Sequence, residues 1–502
     1  MRTLKDAFTK DAGSLTKREN VFYSVATLKI AERGFIVAIT SLLLIAASCV
    51  PYRPKPISAE RGLDDFEARR LAGAEISAYL QSRPETAPWP PSSWDLRALT
   101  LAAMYYSPDL DVARAQWGTA QAGRITAGER PNPAASIIMG YNSTSPVSEV
   151  TPWIPEAALE IPIETAGKRG YRIAEARHLS EAARLNILSV AWDVRSRLRQ
   201  AFLDLFSTRE TEKLQNAQLS YQAESLKILE AQWAAGEASF YDVAQARIGH
   251  DGTKLAALEA AEQRARALIA LAGAVGVPAQ ALDGLKFSFD GLLDVPADLP
   301  SGEIRRRALM NRADILGALA QYEAAQSALR LEVAKQYPDI SLGPDWQFDQ
   351  TDNKWTLGLS LILPLLSRNK GPIAEAEARR QESASQFLAL QAKVIEQLAA
   401  AVAGCRSTLE KAKTADALLE NLNKQEAAAK IRHELGEISK SELLGIQLVF
   451  AASSLARLET LVRAQQAVGE LENAIQSPLD LKDWILTSPR IKKGPLKEQE
   501  DE

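Results

Sequence analysis

Residues 173–176, Ile173-Ala174-Glu175-Ala176, open an uninterrupted helical pattern that breaks at Gly236-Glu237-Ala238-Ser239. Two hundred residues later the pattern recurs: Ile373-Ala374-Glu375-Ala376 begins it and Gly436-Glu437-Ile438-Ser439 ends it. The spacing is identical in the two copies, with no insertion between start and break. Apolar positions inside them also correspond. Ile187, Val194, Leu198, Ala201 and Leu205 in the first copy match Phe387, Val394, Leu398, Ala401 and Cys405 in the second. Their close steps alternate between three and four, which is the seam of a coiled coil. About 60 helical residues rise about 90 Å, far beyond an ordinary globular helix. The chain is therefore expected to be built on two equivalent long helices.

Composition bounds the class. The 502 residues are 46% apolar and 24% charged, which fits neither a disordered chain nor a polytopic helical membrane protein. The long duplication overrides a length prior of several domains, because two halves can form one body. A net charge of −4 argues against a nucleic-acid partner. Lys29 and Arg33 flank an apolar run, Gly34 to Ser48. At about 15 residues it is short for a bilayer span and suits the core of an export signal. It ends Ile45-Ala46-Ala47-Ser48-Cys49, which resembles a bacterial lipoprotein processing site. That likeness implies lipidation of Cys49 as the mature N-terminus, and Val50 after it fits transfer to the outer membrane. The alternative is a plain signal anchor with an incidental cysteine. The other cysteine, Cys405, lies inside a long helix, so a disulfide is not expected. Residues 50–98, with Pro51, Pro54, Pro56, Pro84, Pro88, Pro90 and Pro91, read as a linker with short helical pieces and no chemistry.

A second correspondence precedes each long helix. Asp109 to Pro133 aligns with Asp314 to Pro338, and both read as helices stopped by proline. These helices are expected to cover the part of each long helix that its returning partner cannot reach. Strand-like sequence follows. Ile340, Leu342, Trp346 and Phe348 alternate with Ser341, Gly343, Asp345 and Gln347. After a polar turn at Gln350 to Lys354, Trp355, Leu357, Leu359, Leu361 and Leu363 alternate with Thr356, Gly358, Ser360 and Ile362. This suits a transmembrane β-hairpin, apolar outside and small or polar inside, or else a half-buried soluble hairpin. The first copy carries the weaker pattern: Leu159, Ile161 and Ile163, with Ser136 to Tyr141 before them. Each hairpin leaves through Pro162 or Pro364 into a basic turn, Gly167-Lys168-Arg169-Gly170 or Arg368-Asn369-Lys370-Gly371. Those basic residues fit a lipid headgroup boundary or an ordinary solvated turn.

Beyond each glycine break a second helix returns. Ser239 with Asp242, and Ser439 with Glu442, have capping-box spacing. The returning helices run to about Val275 and Ile475. No phosphate-binding glycine loop, metal-ligand cluster or nucleophile elbow is legible, so an enzyme, a resident metal and a cofactor are not expected. His178, His250 and His433 stand singly on helices, and Cys405 matches Leu205 as a small apolar seam residue.

A twofold repeat of helix, β-hairpin, long helix, glycine break and returning helix resembles the TolC family of outer-membrane efflux factors. The likeness rests on Ser107-Pro108-Asp109-Leu110, Arg130-Pro131-Asn132-Pro133, Gly167-Lys168-Arg169-Gly170, Asn369-Lys370-Gly371 and the two Gly-Glu-x-Ser breaks, and it spans about Trp94 to Pro478. The two basic turns look most like the branch serving heavy-metal pumps of the resistance-nodulation-division (RND) class. The resemblance implies a mainly α fold with a small β part: long coiled-coil hairpins and transmembrane β-hairpins. In a homotrimer these would form one twelve-stranded barrel in outer-membrane lipid and an α-helical tunnel across the periplasm. Four strands alone expose unpaired edges, which the closed barrel removes. It further implies passive exit for substrates delivered by an inner-membrane RND pump and a periplasmic adaptor, with metal ions as the expected cargo. Gly236, Glu237, Ser239, Asp242, Gly436, Glu437, Ser439 and Glu442 would then mark the periplasmic tip, where rings of acids favour cations or gate. Asp242 and Glu442 also read simply as helix caps, and Arg247 and Arg432 are in reach to pair with the tip acids. Two alternatives are a lipid-anchored periplasmic scaffold or adaptor without a pore, and the same fold in type I protein secretion. The expected division is 1–48 signal peptide, 49–98 anchored linker, 99–285 first repeat, 286–478 second repeat and 479–502 tail.

Overall fold

The computed structural model describes residues 52–81, 89–144, 151–296, 309–349 and 352–479, together with 306. The export signal with Cys49, Pro84, Pro88, the turn residue Gln350 and the tail beyond Leu479 lie outside the described residues. The chain divides into two compact units, residues 1–64 and 65–502. In the first, residues 52–58 have no regular structure and lead into α1 (Ala59–Glu67). The elements that follow belong to the second unit.

Helices α2 (Ala74–Gln81), α3 (Leu96–Tyr106) and α4 (Pro108–Gly128) come first, then strands β1 (Ala134–Tyr141) and β2 (Trp153–Ile163). The long helix α5 (Lys168–Ala234) and its returning partner α6 (Phe240–Val275) complete the first repeat. A 3-10 turn (Ala279–Leu282) and α7 (Asp290–Leu293) connect to the second repeat. That repeat contains α8 (Ala313–Ala334), β3 (Ile340–Asp349), β4 (Asp352–Leu361), α9 (Lys370–Glu434) and α10 (Lys440–Ile475). Ser107 closes α3 and opens α4, where its side chain accepts from Leu110 N and Pro108 fills a position needing no donor.

Helix α5 is the axis of packing. It contacts α6 along their shared length and also packs on α3, α4, α8 and α10. Its seam residues Val194, Leu198, Phe202, Leu203 and Leu205 are buried in one core with Leu99, Leu271 and Leu461. Each such side chain contributes about 1.5–3 kcal/mol by leaving water. Cys405 lies fully buried among Val394, Leu398, Ala401 and Leu409, and burial pushes its thiol up. The linker expected over 50–98 is corrected for its second half. Leu71, Ile76, Leu80, Trp89 and Trp94 belong to the main core. Arg69 donates to Tyr106 O and Gly276 O at 3.2 and 2.7 Å, satisfying carbonyls where α3 and α6 end. Ile76 and Leu80 keep helical spacing on α2, whereas Leu71, Trp89 and Trp94 stand outside regular elements with no period, so the sequence pattern hid how the segment packs.

The four strands form one antiparallel sheet in the order β1-β2-β3-β4. Ile163 faces Ile340 and Ile161 faces Leu342, joining the two hairpins side by side. Trp346 faces Trp355 and Leu342 faces Leu359 within the second hairpin. Pleating sends alternate residues to opposite faces. This register puts Ile137, Met139, Ile161, Leu342, Leu357 and Leu359 on one face. The other face carries Ser136, Glu156, Glu160, Asp345, Thr356 and Ser360. Trp355 and Leu357 are 77% and 74% exposed, so the described residues leave the apolar face without protein cover.

Candidate functional site

Two turns end the long hairpins. In the first, Gly236 adopts φ 75°, the left-handed conformation that ends a helix. Glu237 N donates back to Gln232 O at 2.8 Å and Gly236 N to Trp233 O at 3.0 Å. Ser239 then caps α6 reciprocally. Its Oγ accepts from Asp242 N at 3.2 Å, and Asp242 Oδ2 accepts from Ser239 N at 3.1 Å and from Ser239 Oγ at 2.7 Å. These bonds from the Ser239 hydroxyl and backbone hold the exposed Asp242 carboxyl below its ordinary value. The second turn repeats the backbone, with Gly436 at φ 78° and Glu437 N bonded to Arg432 O at 2.8 Å. Here Ser439 Oγ accepts from Glu442 N at 3.1 Å, but the Glu442 carboxylate does not return the bond. The spacing therefore gives a full capping box in one repeat and a single cap in the other. Arg432 Nε sits 3.3 Å from Glu437. Arg247 instead pairs across α5 and α6 with Glu230 at 2.5 Å, so its expected pairing with a tip acid is corrected. Glu230 lies opposite it in the antiparallel hairpin, whereas the tip acids lie beyond the end of α5.

The repeats are tied at two levels. Near the tips Lys440 Nζ, at the start of α10, sits 3.1 Å from Glu224 of α5. Both side chains are well exposed, at 38% and 47%, so this pair contributes about 0–1 kcal/mol. Nearer the sheet the joint is buried and polar. Glu472 Oε2 takes Arg195 Nη1 at 2.9 Å and Arg199 Nε at 3.5 Å. Arg199 donates to Gln465 O and Oε1 at 2.8 and 3.0 Å, and Trp192 donates to Asn473 Oδ1 at 3.0 Å. Burial pushes the Arg199 guanidinium down while Glu472 opposes that shift. Glu224 lies 25 residues beyond Arg199, and Lys440 lies 25 before Gln465, so α5 and α10 run antiparallel in constant register. None of these joint residues was singled out from the sequence. The signal was present: Arg195 and Arg199 directly follow the seam residues Val194 and Leu198.

The first basic turn is a joint rather than a headgroup contact or a solvated loop. Lys168 is buried, and its Nζ donates to Tyr337 O at 2.7 Å and Asp339 Oδ1 at 2.8 Å. Thr165 donates through N to Asp339 Oδ1 at 2.8 Å and through Oγ1 to Pro338 O at 2.6 Å. Burial pushes Asp339 up, but Lys168 and Thr165 together hold it below its ordinary value. Arg169 and Arg172 donate to Gly128 O and Glu129 O where α4 ends, and Arg172 also pairs with Glu164. Among the described residues no group of three or more His, Cys, Asp or Glu side chains is placed to hold a metal ion.

An amphipathic four-stranded sheet rooted beneath paired long helical hairpins defines the protomer of an outer-membrane channel. The chain belongs to the outer membrane efflux protein family, whose model matches residues 102–277 and 304–476. It is similar to the cobalt-zinc-cadmium resistance protein CzcC of Cupriavidus metallidurans, at 24% identity over 387 residues, covering 75% of this chain and 88% of that one. Its fold is similar to VceC of Vibrio cholerae, with a TM-score of 0.61 at 21% identity over 76% of this chain and 96% of that one. It is likewise similar to CusC, with a TM-score of 0.62 at 18% identity over 85% and 99%. The protein is an outer-membrane efflux component that extends into the periplasm. A trimer, and work with an adaptor and an inner-membrane RND pump, are characteristic of this family.

Proposed function

We propose that this chain forms, as a homotrimer, the exit duct of a tripartite metal-efflux system. The observation that carries the reading is the two-faced sheet. One side is apolar and bare, while the other presents small residues with Glu156, Glu160 and Asp345 and suits a cation-conducting lumen. Likeness to a cobalt-zinc-cadmium resistance protein supports divalent metal ions as the cargo. The turns at Gly236-Glu237-Ala238-Ser239 and Gly436-Glu437-Ile438-Ser439 meet the adaptor and the RND pump. Glu237, Glu437 and Glu442 add negative charge there. Asp242 is mainly the cap of α6, because its carboxylate is taken by Ser239. The Lys440–Glu224 pair latches the second hairpin to the first, and the buried Arg195–Glu472–Arg199 joint is the pivot. Cys49 is lipidated, and an intact-mass measurement of the mature N-terminus checks that separately.

Conductance of the purified full-length protein in planar bilayers tests the reading. Discrete cation-selective steps are expected, with longer open times in Lys440→Ala and at high salt, because exposed pairs are screened. Silence in wild type, Lys440→Ala and Glu224→Gln alike would sink the channel reading. Cells lacking the protein should accumulate zinc, cobalt or cadmium; unchanged metal content would remove the cargo assignment alone.

A further inference from the structure

The two repeats build the same strand-to-helix turn with different chemistry. Pro364 stands where Pro162 does. The left-handed pair Arg368 (φ 49°) and Asn369 (φ 55°) stands where Ala166 (φ 54°) and Gly167 (φ 73°) do. In the first repeat the polar side chains of this turn are spent on protein: Glu164 on Arg172, Thr165 and Lys168 on Asp339. In the second, Leu366 occupies the place of Glu164 and is 102% exposed, and Leu365 beside it is 69% exposed. Arg368 and Lys370 are exposed, and neither side chain has a hydrogen-bond or ion-pair partner among the described residues. Yet the turn is held in place. Asn369 Nδ2 donates to Glu332 O at 2.8 Å and Glu332 Oε2 at 2.9 Å.

The order of chemistry along this turn is the order of depth in a membrane. Leu363, 57% exposed, continues the alternation of the bare apolar face of β4, and Ile362 beside it is 85% exposed. Leu365 and Leu366 follow, then Arg368 and Lys370 at the start of the periplasmic helix α9. We propose that residues 362–370 form an interfacial anchor in the periplasmic leaflet of the outer membrane. Leu365 and Leu366 enter the acyl region, and Arg368 and Lys370 bind the phosphate of anionic phospholipid headgroups. Continuity with the lipid-facing sheet and the paired free cations favour lipid over a protein partner, since basic side chains near an anionic surface are attracted to it. The anchor rests on the membrane reading of the sheet and is independent of cargo and gating.

The test uses full-length protein with a benzophenone amino acid in place of Leu366, in nanodiscs of phosphatidylcholine with or without phosphatidylglycerol. Irradiation should give an adduct heavier by one phospholipid. Phosphatidylglycerol should be enriched several-fold over its share of the bilayer, and Arg368→Gln with Lys370→Gln should abolish that enrichment. A cross-link to a second copy would assign the face to the trimer interface and overturn the proposal, as would irradiation without any adduct. Lipid adducts with no headgroup preference would overturn the phosphate contact. Conductance of the same double variant keeps failure of the anchor distinct from failure of the channel.

Discussion

At residue scale the decisive group is Glu472, an acid shared by Arg195 and Arg199 in the joint between repeats. Its side chain is 7% exposed, so the ion pairs are poorly screened, and removal of the acid takes a counter-charge from two buried guanidinium groups. Glu472→Ala should cost about 3–5 kcal/mol, read as a fall in the thermal unfolding midpoint of the purified protein. Glu472→Gln, which still accepts a bond, should cost less. Gly469 supports the same joint by having no side chain. A Cβ there would lie 2.5 Å from Arg199 Nη1, and Gly469→Ala should cost about 1–3 kcal/mol. The Ser239 cap gives a pH prediction with a definite sign. Because the folded-state carboxyl of Asp242 is held below its ordinary value, its contribution to stability is fully present above the unfolded-state pKa. That contribution is lost as pH falls through the lowered folded value. Ser239→Ala removes the hydroxyl bond but keeps the backbone one, so it should move Asp242 up toward the ordinary carboxylate range, followed by NMR titration, and should flatten the acid limb of the stability curve.

At the scale of elements, the sheet turns sequence alternation into two environments. Glu156 and Asp345 are near neighbours on one face, because Glu156 pairs with Gln347 and Ala158 with Asp345. Thr356 opposite donates to Asp345 at 3.4 Å. Glu156→Gln with Glu160→Gln and Asp345→Asn should therefore shift the reversal potential under a salt gradient toward zero while leaving conducting steps in place. An unchanged reversal potential would show that the lumen charge does not select ions. The second hairpin was legible because Trp355, Leu357, Leu359 and Leu361 alternate without a break. The first was fainter because Ile138, Ile154 and Pro162 fall on the small-and-polar face and Pro155 and Ala157 on the apolar one. The long helices and glycine breaks were plain, since coiled-coil steps and capping residues are local signals. Lys168 was not, because its acid partner Asp339 lies 171 residues away. Glu224 and Lys440 were hidden for the same reason: an ion pair between repeats leaves no periodic trace.

At the scale of the whole molecule, the repeat explains why one copy is incomplete. Helix α5 is covered by α4 and α6 of its own repeat and by α8 and α10 of the next. Among the described residues helix α9 packs mainly on α8 and α10, Leu388, Leu418 and Ile431 stand exposed on it, and Leu435 is exposed just past its end. The converse face is on α6. Tyr241, Ile248, Leu255 and Ile269 recur at heptad spacing and are each more than 60% exposed. Helices α9 and α10 each carry a stretch apolar enough to cross a membrane, only 17% and 33% buried within the protomer. Repeating the α5 arrangement across a boundary between copies would set α9 of one copy against α4 and α6 of the next. The same step would pair the free edges of β1 and β4, and closure after three copies gives the trimer characteristic of the fold. Ile248→Asp with Leu255→Asp tests this away from tip, joint and sheet. Burying each carboxylate without a partner should cost at least about 2 kcal/mol per site. Light scattering of the detergent-extracted proteins should therefore report monomers for the variant and trimers for wild type, while circular dichroism keeps its helical signal. A trimer that tolerates both charges would mean that α6 faces water, and that α9 finds its cover elsewhere.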